Sequence, residues 1–284
     1  MGAAFIIWLQ QFSSPFIDSI FQGITMVGED IFYILILTFI YWCINKEFGS
    51  RLAFVFFFSM CFNSLLKVTI QAPRPIGSDG IRSLREHTAT GYSFPSGHTQ
   101  STATLWYYLA RTIRKPWLTA MAVIIIILMA LSRLYLGVHW PRDVIGAVII
   151  AVLLVHLGGR FYDLTIAKRS YLIPSLLVVL IIPAALVSGD KDFITIAALI
   201  TGTTIGFALE QYAVHFTIPA SYKRRLFNYL SGLIMILIIK EGGKIILPST
   251  SWADFLRYTL IGFGAIAGAP WVFMITERIT KKNN

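Results

Sequence analysis

PWLTAMAVIIIILMALSRLYLGVHWPRDVIGAVIIAVLLVHLGGR, residues 116–160, holds two apolar runs, 116–133 and 143–160, separated by a turn crowded with arginine, histidine, proline and aspartate. Each run has the roughly 17–25 residues that an α-helix needs to cross hydrocarbon. Within a membrane only helices satisfy their own backbone polar groups segment by segment, so the stretch reads as two spanning helices joined by a short polar loop. Similar runs recur on both sides, at 30–45, 51–70, 97–113, 171–188, 193–215, 226–247 and 255–276, giving nine predicted spans. The fold class expected is therefore all-α, a polytopic transmembrane helix bundle.

Composition agrees. The chain of 284 residues is 56% hydrophobic and 13% charged, with a mean hydropathy of +0.70, too apolar for an ordinary soluble domain. The net charge of +10 does not mark nucleic-acid binding, because the basic residues lie in short clusters between apolar spans. Cys43 and Cys61 sit inside apolar runs without metal-ligand or disulfide spacing and read as inert thiols. The N-terminus lacks a basic leader followed by a small-residue cleavage site, so no removable signal peptide is expected. Residues 1–28 are interrupted by Gln10, Gln11, Ser13, Ser14, Pro15 and Asp18, and this two-faced pattern suits a helix lying in the membrane interface.

Counting Lys and Arg on alternate sides of the spans separates the connections. One side holds Lys46 and Arg51, Arg111, Arg114 and Lys115, Arg160, Lys168 and Arg169, Lys223, Arg224 and Arg225, and Arg278, Lys281 and Lys282. The positive-inside rule makes that side cytoplasmic. Segments 71–96, 134–142, 188–192 and 248–254 then face outward or into a lumen, and the first two carry the unusual chemistry.

Three clusters meet there. Lys67 and Arg74 stand at the outer end of the second span, where Pro73 and Pro75 end the helix; taken alone they read equally as cations snorkelling to the headgroups. Phe94-Pro-Ser-Gly-His98 precedes the third span, with Ser96 a helix-start residue and Gly97 allowing close backbone approach. Helix starts bind anions through their free N–H groups, which would put His98 at the mouth of an anion site. Ser132-Arg133 closes the fourth span and His139-Trp-Pro-Arg-Asp143 opens the fifth. A carboxylate four residues after a histidine can accept from one imidazole nitrogen and leave the other free to attack an electrophile. Metal binding is disfavoured because Lys67, Arg74 and Arg133 would repel a divalent cation.

Together, Lys67 to Pro75, Pro95 to His98 and Ser132 to Asp143 resemble the three signature motifs of the type 2 phosphatidic acid phosphatase superfamily, in order and in internal spacing. The resemblance covers about residues 30–160. It implies a metal-independent, cofactor-free reaction through a phosphohistidine: His139 as nucleophile, Asp143 orienting it, His98 as acid for the leaving oxygen, and Lys67, Arg74, Ser96, Gly97 and Arg133 holding the phosphoryl oxygens. Arg82 and Arg85, in the segment 76–93 that roofs the site, are possible headgroup contacts or solvated loop residues, and His87 reads as a surface residue.

The expected substrate is an amphiphile with its phosphate in the headgroup layer: polyprenyl diphosphate, phosphatidic acid, phosphatidylglycerol phosphate or a sphingoid phosphate. A lipid-to-lipid phosphotransferase and a lipid transporter or scramblase are the alternatives. The expected setting is a bacterial plasma membrane with an outward-facing site, or an endoplasmic reticulum with a lumenal one. Domains are expected at 1–165, the phosphatase core, and 166–284, a C-terminal transmembrane extension. In that extension Glu210 is an intramembrane carboxylate, read as lining a cavity or pairing with a base such as Lys240, or as reaching the interface. Gly202, Gly206, Gly262, Gly264 and Gly268 permit close helix packing, for a homodimer or for a tighter bundle.

Overall fold

A computed structural model describes residues 2–167 and 172–283. Lys168 and Arg169, counted above among the cytoplasmic cations, and the first residue of the 171–188 span lie outside the described residues. Among the described residues the chain is all-α. Thirteen α-helices follow one another: α1 (Gly2–Gln10), α2 (Pro15–Met26), α3 (Asp30–Phe39), α4 (Lys46–Ile70), α5 (Gly97–Ile113), α6 (Pro116–Tyr135), α7 (Pro141–Ala167), α8 (Leu172–Ser188), α9 (Lys191–Leu209), α10 (Tyr222–Leu237), α11 (Gly243–Ile246), α12 (Ser251–Phe263) and α13 (Ala269–Asn283).

All nine predicted spans fall on helices, but among the described residues only five helical segments are long and apolar enough to cross a membrane, or six if α2 and α3, bent by 46°, form one span. Helix α5 fails that test for a physical reason. Thr99, Gln100, Ser101, Thr102 and Thr104 are all buried and bonded to protein: Gln100 Oε1 accepts from Asn63 Nδ2 at 2.8 Å, Gln100 Nε2 donates to Ser59 O at 2.8 Å, and Thr104 Oγ1 meets Ser59 Oγ at 2.8 Å. A helix enclosed by polar partners need not look like one that faces lipid.

The chain forms two compact units, residues 1–33 with 54–160, and residues 34–53 with 161–284. Residues 34–53, expected with the first domain, thus pack with the C-terminal helices, and the reason is aromatic. The chain after α3 runs through a π-turn, Ile40–Ile44, that buries Tyr41 and Trp42. Trp42 Nε1 donates to Ala265 O at 2.9 Å and Tyr41 Oη to Ile266 O at 3.1 Å, on a second π-turn, Gly264–Gly268. Phe216, Phe273, Ile236 and Ile261 complete that core. A buried indole or phenol is stable only when its polar tip finds an acceptor, and both do.

Glu210, with no exposed side-chain surface, pairs with Lys46 Nζ at 2.6 Å and accepts from Phe216 N at 2.8 Å. Its partner is therefore Lys46 rather than Lys240. Gly202 and Gly262 are spent on the packing of α9 against α12: a Cβ on Gly202 would lie 2.0 Å from Thr259 O, and one on Gly262 2.7 Å from Leu199 O.

In the first unit, α1 and α2 pack against α6, and two of the polar residues in this segment reach distant partners. Gln10 Nε2 donates to Arg82 O at 2.7 Å and Tyr135 O at 2.8 Å, Asp18 accepts from Tyr135 Oη at 2.5 Å, and Phe21 stacks on Tyr135 with ring centroids 4.3 Å apart. Gln10 and Asp18 are thus ties into the first unit, while Gln11, Ser13 and Pro15 are exposed.

The close approach of α9 and α12 predicts that Gly202→Ala, which over-packs backbone against backbone, lowers stability by about 1–3 kcal/mol. Gly242→Ala, where nothing lies within 4 Å of the added carbon, should leave it nearly unchanged. Thermal unfolding in detergent checks this; equal midpoints for the two variants would refute the packing argument.

Candidate active site

Most of the site residues sit where a helix begins or ends, and Arg74 and His139 lie in the segments between. Lys67 lies in the last turn of α4 and is buried. Ser96 caps α5, its Oγ meeting Thr99 Oγ1 at 3.0 Å and accepting from Thr99 N at 3.5 Å. Gly97 opens that helix beside the ammonium: a Cβ there would stand 3.8 Å from Lys67 Nζ. His98 follows in the first turn, Arg133 ends α6, His139 lies in the loop before α7, and Asp143 stands in the first turn of α7. The site thus faces a helix N-terminus, where unsatisfied N–H groups favour an anion.

The nucleophile candidate is held from both sides. His139, 1% exposed, accepts on Nε2 from Arg74 Nη1 at 3.1 Å, which requires the proton to be on Nδ1. Nδ1 faces Asp143 Oδ2 at 3.5 Å, too long for a good hydrogen bond. The hydroxyl of Ser93, fully buried, stands beside that pair. It donates to Asp143 Oδ2 at 2.5 Å and lies 3.4 Å from His139 Nδ1. Asp143 Oδ2 also accepts from Trp140 N at 2.8 Å, and Ser96 N donates to Asp143 O at 3.1 Å, joining the starts of α5 and α7. Ser93 was not legible in the sequence: it ends an irregular loop and has neither periodic pattern nor charge. Burial, followed by the fields of Arg74, Arg133 and Lys67, pushes the His139 imidazole well below its ordinary value of 6.5 and keeps it neutral.

The two arginines differ. Arg74 is occupied by carbonyls, donating from Nε to Gly91 O at 2.9 Å, from Nη1 to Val138 O at 2.9 Å, and from Nη2 to Thr90 O at 2.5 Å and Tyr92 O at 3.2 Å. It therefore clamps the roof to the nucleophile loop. Arg133, with no exposed surface, uses only Nη1, donating to Thr25 Oγ1 at 2.7 Å and Thr88 Oγ1 at 3.4 Å. Its Nε and Nη2 are buried with no hydrogen-bond partner, as is His98 Nε2. Nε–H and one Nη2–H form a parallel fork, the geometry that takes two oxygens of one phosphate. Arg133, His139, Lys67 and Arg74 are the charged or titratable groups whose fields reach His98. This is a buried cationic cluster with unfilled donors, which suits an oxyanion.

Arg82 and Arg85 have carboxylate partners: Arg82 grips Asp18 through two bonds of 2.9 and 2.6 Å, and Arg85 pairs with Glu29 at 2.5 Å. His87, in the 3₁₀ turn Glu86–Thr88, is exposed.

Comparison with known proteins identifies the family. The family profile described as PAP2 superfamily matches residues 48–166, and the one described as PAP2 superfamily phosphatase, transmembrane extension, matches residues 194–281. The chain belongs to the PAP2 superfamily and is a multi-pass integral membrane protein. It is 30% identical to sphingosine-1-phosphate phosphatase 2 of Homo sapiens over 78% of this chain and 63% of that one. It is 28% identical to phosphatidylglycerophosphatase B of Bacillus subtilis over 52% and 76% of the two chains. The chain thus spans less than two thirds of the length of the human enzyme. A crystal structure of a PAP2 type phosphatidylglycerolphosphate phosphatase from Bacillus subtilis, 26% identical, aligns with a TM-score of 0.48 over 57% of this chain and 84% of that one.

The environment of His139 predicts that, in the ligand-free protein, its imidazole is neutral and carries its proton on Nδ1 at pH 6.5, where an unperturbed imidazole is half protonated. Nitrogen-15 histidine spectra of wild type, assigned against His139→Gln, read this directly. An imidazolium signal for His139 at that pH would refute it.

Proposed function

We propose that the protein is a metal-independent lipid phosphate phosphatase, hydrolysing a lipid phosphomonoester or diphosphate through a phosphohistidine. The observation that carries this is the unfilled donor set, Arg133 Nε and Nη2 with His98 Nε2, beside an imidazole held neutral with Nε2 as its lone-pair nitrogen. Phosphoryl transfer asks mainly for in-line positioning and for cations around the equatorial oxygens.

In the first step His139 Nε2 attacks phosphorus, the bond from phosphorus to the leaving oxygen breaks, and His98 gives that oxygen its proton. Arg74 Nη1 moves from Nε2 to a phosphoryl oxygen, Arg133 binds two oxygens through its fork, and Lys67 and the N-terminus of α5 neutralise the rest. Asp143, through Ser93 and the Nδ1 proton, balances the positive charge that forms on the ring. In the second step His98, now neutral, takes a proton from water as the water oxygen attacks phosphorus, the P–N bond breaks, and inorganic phosphate leaves. His98 must begin each cycle protonated. An arriving phosphate supplies the negative charge that favours this among so many cations.

The substrate class rests on the membrane setting and the relatives, which are named for three different lipids: sphingosine-1-phosphate, phosphatidylglycerophosphate and undecaprenyl diphosphate. The shared requirement is a terminal phosphate on an amphiphile. The distribution of basic residues supports a site on the non-cytoplasmic face, of a bacterial plasma membrane or of an endoplasmic reticulum.

Purified protein in detergent with a chelator, given a panel of lipid phosphates, is expected to release inorganic phosphate, and His139→Ala to lower the rate by at least about a thousandfold. Turnover by His139→Ala near the wild-type rate would end the phosphohistidine reading; phosphate appearing on a second lipid instead of in solution would make the protein a transferase. The profile of kcat/KM against pH should be bell-shaped. Because His139 is depressed in the free protein, its acid limb should lie well below 6.5. Ser93→Ala, which removes one hydrogen bond to a carboxylate, should reduce kcat roughly tenfold, about 1.4 kcal/mol, with little change in KM; an unchanged kcat would show that Ser93 does not support the ring.

A further inference from the structure

We propose that the elbow between α2 and α3 is a working part of the active site, in which Thr25 is a positioning residue for Arg133 and Gly28 a seat for His98. The proposal rests on the reading of Arg133 as a phosphate ligand and adds to it a segment, residues 25–29, that lies outside the region matched by the family profile.

Thr25 is the last buried residue of α2, with no exposed surface, and its Oγ1 takes the Nη1 proton of an equally buried guanidinium at 2.7 Å. A guanidinium is planar, so fixing Nη1 fixes the direction of the opposite edge, and that edge is the unpartnered Nε and Nη2 fork. Thr88 Oγ1, a second neutral acceptor for Nη1 at 3.4 Å, is itself anchored by donating to Arg85 O at 2.9 Å. Among the described residues no carboxylate bonds Arg133. Neutral hydroxyls can therefore set its direction without consuming the charge that a phosphate needs. A carboxylate at position 25 would orient the guanidinium equally well and compete with the substrate.

The elbow also carries His98. At Gly28 a Cβ would stand 2.8 Å from His98 Cδ2, 3.2 Å from His98 Cβ and 2.9 Å from Met129 Cε, so the imidazole rests on bare backbone. Both flanks are tied down. Glu29 pairs with Arg85 of the roof, and Tyr33 Oη accepts from Ser101 Oγ at 2.8 Å and meets Thr102 Oγ1 at 2.9 Å, one turn along α5 from His98. The break between α2 and α3 brings the two residues that handle phosphate and leaving group against one short segment.

The test compares Thr25→Val, Thr25→Ser, Gly28→Ala, Arg133→Gln and His139→Ala, using competitive inhibition by inorganic phosphate, KM and kcat on the best lipid of the panel, and thermal unfolding. Thr25→Val is expected to weaken phosphate inhibition and lower kcat/KM by about tenfold without moving the unfolding midpoint appreciably, and Thr25→Ser to restore both to within about twofold. Gly28→Ala should lower kcat while phosphate inhibition persists, because it displaces the acid and not the fork; this arm stands even if Thr25→Val does not fold. Wild-type values in Thr25→Val, or a Thr25→Ser as impaired as Thr25→Val, would overturn the positioning role while Arg133→Gln and His139→Ala still fail. Arg133→Gln binding phosphate as wild type does, or His139→Ala turning over normally, would remove the phosphatase reading and the inference with it.

Discussion

A guanidinium with no exposed surface and, among the described residues, no bonded carboxylate is costly to bury, and the arrangement around it follows from that cost. Removing an ion from water costs several kcal/mol after relaxation, and Arg133 recovers only part of this from two threonine hydroxyls. Lys67 and Arg74 add like charge nearby. Such a cluster is tolerable only if the surrounding packing over-determines it. The constraints are visible: Arg74 ties residues 90–92 to Val138, the starts of α5 and α7 are joined through Ser96 N and Asp143 O, and Asn63 with Gln100 locks α4 to α5 beneath Gly97. On the proposed function an arriving phosphate removes the strain. The donors then need no rearrangement when charge arrives, which is what preorganisation means.

Legibility in the sequence followed the length scale of each signal. The apolar runs were long enough to place all nine predicted spans on helices. The residues within each motif are near one another in the chain, so the chemistry they could carry was legible from spacing, and the separate role of each was implied by the family resemblance. Residues whose meaning depends on a partner far along the chain carried no such signal. Ser93 is one serine in a loop until it meets Asp143, and Thr25 is an unremarked polar residue in α2 until Arg133 arrives from 108 positions away. Glu210 stood out as an intramembrane carboxylate, but its base, Lys46, lies 164 residues off, beyond anything a local pattern encodes. Gln10 and Asp18 in the N-terminal helices likewise meet Arg82 and Tyr135, partners too far along the chain for a local pattern to encode.

The second unit solves a different problem with the same physics. Its core is built on carbonyls that regular helices would keep to themselves. The π-turn at Gly264–Gly268 offers Ala265 O and Ile266 O to Trp42 and Tyr41, so a local loss of helical geometry is exchanged for two satisfied aromatic tips. The Glu210–Lys46 pair sits at another π-turn, Glu210–Val214, where the carboxylate also binds Phe216 N. Once Glu210 is spent on a base and a backbone amide, it no longer argues for a transport path. That removes the main feature that had supported a transporter.

The two histidines show why the first unit needs cations and carboxylate in unequal number. On the proposed function His139 must be neutral to attack and His98 charged to protonate, yet both imidazoles are buried among the same cations. A carboxylate bonded directly to His139 Nδ1 would raise the basicity of that ring and invite the proton that belongs on His98. Asp143 Oδ2 is shared among Ser93, Trp140 N and the more distant imidazole, which weakens that pull while preserving the Nδ1–H tautomer. On that reading the carboxylate acts mainly when positive charge forms on the ring during attack.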